Sequence, residues 1–336
     1  MRTTTGATHW ATKLGRRVGR TVAAVAVATG LVAATAACGS DDDGQDADNV
    51  RTVDSAYGEV EVPETPERVV AVSYDTPWQL KSLGVTPVGT QDYSDYTQGF
   101  TEEQLDFVEQ AEPVGKFFEL DIEAVAAAEP DLIVGDVLEI DDDVYEKLAE
   151  IAPTVIVEGE DRGDWKAIVA SIAEAVGTED ELEETKAAYE DRLAELQDDY
   201  ADVLDEYTFA SIGPMDDPTN FYINYPSGIL GAIFEEVGMT TASSVPTGEF
   251  PKGWEEYSTE NIGSLLGEAD VVMVPLNADG TVDPGMQEVM DNPLFQQLKA
   301  AQDDHVVPVD GSVTDYASAV DFLDIIEEKV LAPLQG

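Results

Sequence analysis

Cysteine and histidine are almost missing from this chain. Its 336 residues include one cysteine, Cys38, and two histidines, His9 and His305. No Gly-x-Ser-x-Gly elbow, HExxH pair, Walker loop or CxxC pair occurs. With so few thiols and imidazoles, no ordinary nucleophile–base pair can be assembled. The same scarcity argues against direct capture of Zn or Mn, which favour imidazole. Carboxylates are plentiful, so a two-carboxylate hydrolase stays formally open, but acids close in sequence mean little in so acidic a chain. The Asp41–Asp43 and Asp141–Asp143 runs read as solvated loops, and no EF-hand spacing is present. No catalytic or metal-ligating residue is nominated.

Bases are the next shortage. The first 37 residues hold five of the 17 Lys and Arg and none of the 70 Asp and Glu, leaving 12 bases against 70 acids, a formal charge of −58. Nucleic acid is excluded as a partner, because phosphate contacts need dense Lys and Arg. Acidic lipid surfaces are disfavoured for the same reason. The acidic surface reads as strongly hydrated, and its self-repulsion should be relieved by salt.

Residues 1–37 have the layout of an export signal: a basic start, the apolar run Thr21–Ala37, then small residues. The run is too short and alanine-rich for a permanent membrane span. Thr35-Ala36-Ala37-Cys38 resembles a bacterial lipobox, in which the cysteine is lipidated and becomes the mature N-terminus. That reading explains a lone thiol in an exported chain. The Arg16-Arg17 pair lacks the flanks of a twin-arginine motif. Residues 38–49 then form a flexible acidic tether.

From Val50 the chain reads as globular. Val50–Val62 alternates like a small hairpin broken at Tyr57-Gly58. Glu67–Val85 (ERVVAVSYDTPWQLKSLGV) is an apolar strand, a turn and a helix with Pro77 near its start and Gly84 at its end. Asn220–Met239 (NFYINYPSGILGAIFEEVGM) repeats that order. Leu120–Asp136 and Ser258–Leu276 are a second recurring phrase, a capped helix entering a buried strand. Further strands are expected at Pro87–Gln91, Thr154–Glu158, Thr208–Ile212 and Val306–Val309. Near-continuous apolar strands alternating with helices predict parallel sheets covered on both faces. Between the halves, Asp164–Gly177 is an amphipathic helix, and another starts at Thr178, with Glu181 completing a capping box. The expected division is 50–163 for a first lobe, 164–200 for an inter-lobe helical segment and 201–336 for a second lobe.

These phrases (YGEVEVPETPERVVAV, SLGVTPVG, DIEAVAAAEPDLIVG, IAPTVIV and STENI, in that order behind a lipobox) resemble an iron-siderophore substrate-binding lipoprotein of an ABC importer. The broader class also includes vitamin B12 and haem binders. The similarity spans nearly the whole chain after Val50. It implies an α/β fold of two Rossmann-like lobes joined by a long rigid helix, with ligand between the lobes and little closure. It further implies a monomer with no enzymatic activity and no cofactor of its own. Its ligand would be a ferric siderophore whose iron arrives already chelated. Its partner would be the permease, and its place the outer face of the cell membrane, held by the lipid on Cys38 alone. Cobalamin or haem on the same fold is the nearest alternative, and the carboxylate hydrolase a distant one.

The resemblance gives Glu123 and Glu260 the task of presenting a carboxylate from each lobe to arginines of the permease. First-turn acids also complement the helix dipole without any such task. Strand ends and the loops after them line clefts in this architecture, which nominates Tyr74, Trp78, Tyr93, Lys116 and Phe117 from the first lobe. The second lobe offers Tyr222, Tyr225, Lys252, Trp254 and Tyr316. Lys116 and Lys252 stand out because bases are scarce and each precedes a phrase holding a docking glutamate. The charge balance favours a neutral or cationic chelate, of hydroxamate or mixed type, over a tris-catecholate.

Overall fold

The computed structural model describes residues 49–335 except 95–99, 160, 161, 249, 251, 278 and 310–312. Cys38, the export signal and nearly all of the tether lie outside them. Strands β1 (Val50–Val53) and β2 (Val60–Pro63) pair antiparallel, with Val53 opposite Val60.

The first lobe is built on β3 (Val69–Ala71), β4 (Gly89–Asp92), β5 (Glu112–Lys116), β6 (Glu119–Leu120), β7 (Leu132–Asp136) and β8 (Thr154–Val157), in the spatial order β6-β5-β4-β3-β7-β8. All neighbours run parallel except β6, which turns back on β5. Every residue of β7 and β8 is buried, as parallel strands covered on both faces require.

The second lobe carries β9 (Phe209–Pro214), β10 (Asn220–Asn224), β11 (Trp254–Ser258), β12 (Val271–Pro275) and β13 (Val306–Val309), ordered β11-β10-β9-β12-β13. Here the expectation of a parallel repeat needs correcting. β12 is parallel to β9 and β13, but β10 is antiparallel to both β9 and β11. The reason is the connection: only Met215–Thr219 separates β9 from β10, and a parallel crossover needs a dozen residues or more. Asp217 closes this turn by accepting from the amide (2.9 Å) and hydroxyl (2.7 Å) of Thr219.

Helices Trp165–Val176 and Glu179–Asp199 link the lobes. They are not one rod. Gly177, at φ +76°, ends the first in the left-handed conformation that suits glycine. The expected capping box at Thr178 does not form; Thr178 makes no side-chain capping bond. The acids Glu179, Asp180 and Glu181 still complement the dipole of that helix.

One apolar cluster takes residues from both sheets. Val69, Ala71, Leu132 and Val134 of the first lobe join Phe209, Val271 and Met273 of the second around Trp165, Ile172, Tyr189, Leu196, Phe322 and Ile326. Separating the lobes as independent bodies would expose this surface at roughly 25 cal/mol per Å².

Candidate ligand-binding site

Tyr74, Tyr93, Phe117 and Glu139 follow β3, β4, β5 and β7, so the parallel register brings them to one edge of the first sheet. Tyr74 is half-buried at the centre of an aromatic cluster. Its ring centroid lies 5.8 Å from Trp78, 5.4 Å from Phe100, 5.5 Å from Phe117 and 6.1 Å from Phe118, the last nearly parallel to it at 9°. Trp78 and Tyr93 are buried (1% and 3% exposed). Trp78 stacks on Phe100 at 4.2 Å and donates Nε1 to the Gln104 carbonyl; the Tyr93 hydroxyl donates to the Tyr74 carbonyl at 2.7 Å. Of the five nominated residues, these two thus form the floor, while Tyr74 and Phe117 are partly open and Lys116 is exposed.

Phe118 escaped the sequence reading, and it is the most exposed large apolar side chain here at 59%. Its φ of 58° is left-handed, a region bulky L residues seldom adopt. Gln91 and Glu139 were also missed. The Phe118 amide donates to Gln91 Oε1 at 2.8 Å, and the Tyr74 amide to Glu139 Oε1 at 2.9 Å. The only sequence signal for Gln91 was a polar residue ending a buried strand; Glu139 was hidden among 70 acids.

In the second lobe, β10 presents Asn220, Tyr222 and Asn224 on one face and buries Phe221 and Ile223 on the other. The Tyr222 ring rests on Gly213, where a Cβ would come within 2.1 Å of Tyr Cζ. Trp254 lies 5.8 Å from Tyr222, and Lys252 Nζ sits 5.2 Å from the Trp254 ring centre, within cation–π range. Trp254 is opposite Asn224, which donates to Ser211 Oγ at 2.9 Å. Lys252 and Trp254 therefore sit on the antiparallel edge, not at the C-terminal ends of β9, β12 and β13.

Tyr225 and Tyr316 point elsewhere. Tyr225 is buried, stacked on Phe250 at 3.6 Å and bonded to the Tyr257 hydroxyl at 2.9 Å; burial, then Tyr257, pushes its pKa up. Tyr316 packs at 4.9 Å from Trp165 and 5.7 Å from Tyr189 in the core shared by the lobes, and burial lifts its pKa to about 12. The lobes touch through Gln79 Nε2 donating to the Thr314 carbonyl (3.2 Å) and the Gly163 amide donating to the Ser227 carbonyl (3.0 Å).

The electrostatics are lopsided. Arg51 and Arg68 are spent on the carbonyls of Glu174, Ala175, Ala128 and Glu129. Lys81, Lys166, Lys186, Arg192 and Lys299 pair with nearby carboxylates. Lys116 and Lys252 are the bases among the aromatic residues just described. The Asp92 carboxyl is held below its usual range, chiefly by the Ser94 amide, with Lys116 a smaller influence. No group of three or more His, Cys, Asp or Glu among the described residues is placed to hold a metal.

Glu123 and Glu260 occupy matching positions. Each is exposed, and its amide donates to the residue two before it: Glu123 to Asp121 Oδ1 (3.0 Å) and Glu260 to Ser258 Oγ (3.3 Å).

A sequence profile for a family described as periplasmic binding protein matches residues 69–313. YhfQ of Bacillus subtilis, assigned as an ABC transporter substrate-binding lipoprotein, is 28% identical over 88% of this chain and 92% of its own length. Two further proteins of that organism are similar: FhuD, named for iron(3+)-hydroxamate binding (26% identical; 89% of this chain, 94% of its own), and YfmC, named for Fe(3+)-citrate binding (25%; 77% and 78%). Among solved structures, a siderophore periplasmic binding protein from the fuscachelin gene cluster of Thermobifida fusca is 29% identical with a TM-score of 0.68, covering 78% of this chain and 96% of its own.

Proposed function

The chain belongs to the periplasmic binding protein family, a family of substrate-binding transport proteins rather than enzymes, and on that premise we propose that it binds a ferric siderophore for an ABC importer. The observation that carries this is the aromatic wall of Tyr74, Phe117 and Phe118 in a chain with only 12 bases against 70 acids after residue 37. Aromatic faces with few hydrogen-bond donors suit a neutral or cationic chelate. A tris-catecholate is strongly anionic and needs a cluster of bases, whereas among the described residues Lys116 adjoins Phe117 and Lys252 lies against Trp254. A hydroxamate or mixed-ligand complex is therefore the preferred ligand, in keeping with the name of FhuD; the name of YfmC makes ferric citrate the informative competitor.

Tryptophan quenching on titration with ferrioxamine B, ferric enterobactin, ferric citrate, cobalamin and haemin tests the reading. Submicromolar binding of ferrioxamine B is expected. Tight enterobactin binding with no response to ferrioxamine B would overturn the hydroxamate preference, and binding of cobalamin or haemin alone would overturn the siderophore assignment. Lipid anchoring at Cys38 belongs to the same proposal: a Cys38→Ser protein should fold yet leave the detergent phase, and unchanged partitioning would refute the anchor.

A further inference from the structure

We propose that Gln91 and Glu139 form a latch that sets the aromatic wall of the first lobe before ligand arrives. This rests on reading that wall as part of a ferric-chelate site. Gln91 is 3% exposed at the end of β4. Its Nε2 donates to the Val72 carbonyl at 2.9 Å and to Glu139 Oε2 at 3.2 Å, while its Oε1 accepts the Phe118 amide at 2.8 Å. The orientation of the carboxamide is dictated by its surroundings. Turned over, its oxygen would face a carbonyl and a carboxylate, and its NH₂ would face an N–H. Glu139 completes the chain by accepting the Tyr74 amide at 2.9 Å. Two side chains thereby tie together the segments that follow β3, β5 and β7.

Phe118 shows why a tie is needed. Its backbone is in the left-handed region and its ring is 59% exposed, so neither conformational preference nor burial holds it. What holds it is the two-residue turn in which Lys116 of β5 pairs with Glu119 of β6, the bond to Gln91, and ring contacts with Phe117 and Tyr74. A wall fixed in this way need not be ordered on binding, which lowers the entropic cost of capturing a rigid chelate. Glu139 and Gln91 are positioning residues, since their bonds described here run to the wall's backbone.

Amide hydrogen exchange at Tyr74 and Phe118 in the ligand-free protein reads the latch directly. Gln91→Ala and Glu139→Ala should each accelerate exchange at these amides by about tenfold, the effect of losing one buried hydrogen bond. The swap Gln91→Glu with Glu139→Gln should restore part of the protection. Gln at 139 can accept from Tyr74 and donate to Glu at 91, whose other oxygen accepts from Phe118; the bond to Val72 gives way to an oxygen facing that carbonyl, which keeps the recovery partial. A structural role alone would make the swap at least as damaging as the single changes. Should Gln91→Ala fail to fold, the milder Glu139→Gln, with one acceptor in place of two, gives the same readout. Phe118→Gly relieves the strained φ, should keep position 118 protected, and should weaken ferrioxamine B binding roughly tenfold. Unchanged exchange in the single variants, or a swap no better than they are, overturns the latch. Absence of ferrioxamine B binding by the wild-type protein would instead sink the ligand reading, and the exchange data would still decide the latch.

Discussion

Gly213 shows how much one missing methyl group can decide. The Tyr222 ring occupies the space a Cβ at this position would fill, at 2.1 Å from its Cζ. Since Tyr222 is half-exposed, its ring can swing away, so Gly213→Ala should cost less than the ~1–3 kcal/mol of overpacking in a closed core. Ligand binding should suffer more than stability. A displaced ring no longer offers its face to the ligand, a contact of ~0.5–1.5 kcal/mol, which is a few-fold to roughly tenfold in Kd. An unchanged Kd for ferrioxamine B, measured beside an unchanged Tm, would remove Tyr222 from the site. Residue type was readable in the sequence, whereas direction was not. Tyr222 and Tyr316 looked alike as aromatics near strand ends, yet one lies on an open sheet face and the other inside the shared core. Phe118, Gln91 and Glu139 were illegible for a related reason: their roles exist only once three strand ends are side by side.

Among elements, the recurring strand–helix phrases were legible because apolar runs and glycine stops act locally, and their direction of pairing was not. A five-residue connection made β10 antiparallel where its phrase copied a parallel strand. The last long helix, Tyr316–Ile326, shows a tertiary device that no local pattern announces. Arg192, on Glu179–Asp199, donates to Asp324 at 2.7 Å and to Glu327, and Glu327 also accepts the Tyr200 hydroxyl at 2.8 Å. Arg192, then Tyr200, holds the Glu327 carboxyl below its usual range. A depressed carboxyl stabilises the fold above the unfolded-state pKa, and that contribution is lost as pH falls through the folded-state value. Glu327→Gln should therefore lower stability at neutral pH by roughly 1 kcal/mol, a figure reduced for partial exposure. The difference in Tm from wild type should shrink as pH drops through and below the ordinary carboxylate range. A gap that widened in acid would refute the pairing. The matched turns at Glu123 and Glu260 support an element-level prediction of another kind. On the proposal that each carboxylate meets a permease guanidinium in bidentate fashion, changing both to Ala should leave chelate affinity intact and sharply reduce uptake. Full transport by the double variant would return both residues to complementing their helix dipoles.

At the scale of the whole molecule, charge and ligand choice meet. With 12 bases against 70 acids after residue 37, and at least seven of those bases engaged locally in pairs or on helix-end carbonyls, most carboxylates have no cation near them. Their summed field extends beyond any single contact and is screened over ~8 Å at physiological ionic strength. Two consequences share this origin. Tm should rise with added NaCl as self-repulsion is screened; a steady fall would show that pairs outweigh the net charge. Binding should also respond to salt with a sign set by the chelate. Cationic ferrioxamine B is drawn to the acidic surface, so its affinity should weaken as NaCl increases, mainly through slower association. Ferric citrate is anionic and repelled, so its affinity should strengthen over the same range. The comparison cancels any general effect of salt on the fold, because both chelates meet the same protein. Both slopes reversed, with salt weakening ferric citrate binding and strengthening ferrioxamine B binding, would mean that local charge around Lys116 and Lys252, not the global field, governs what the site accepts.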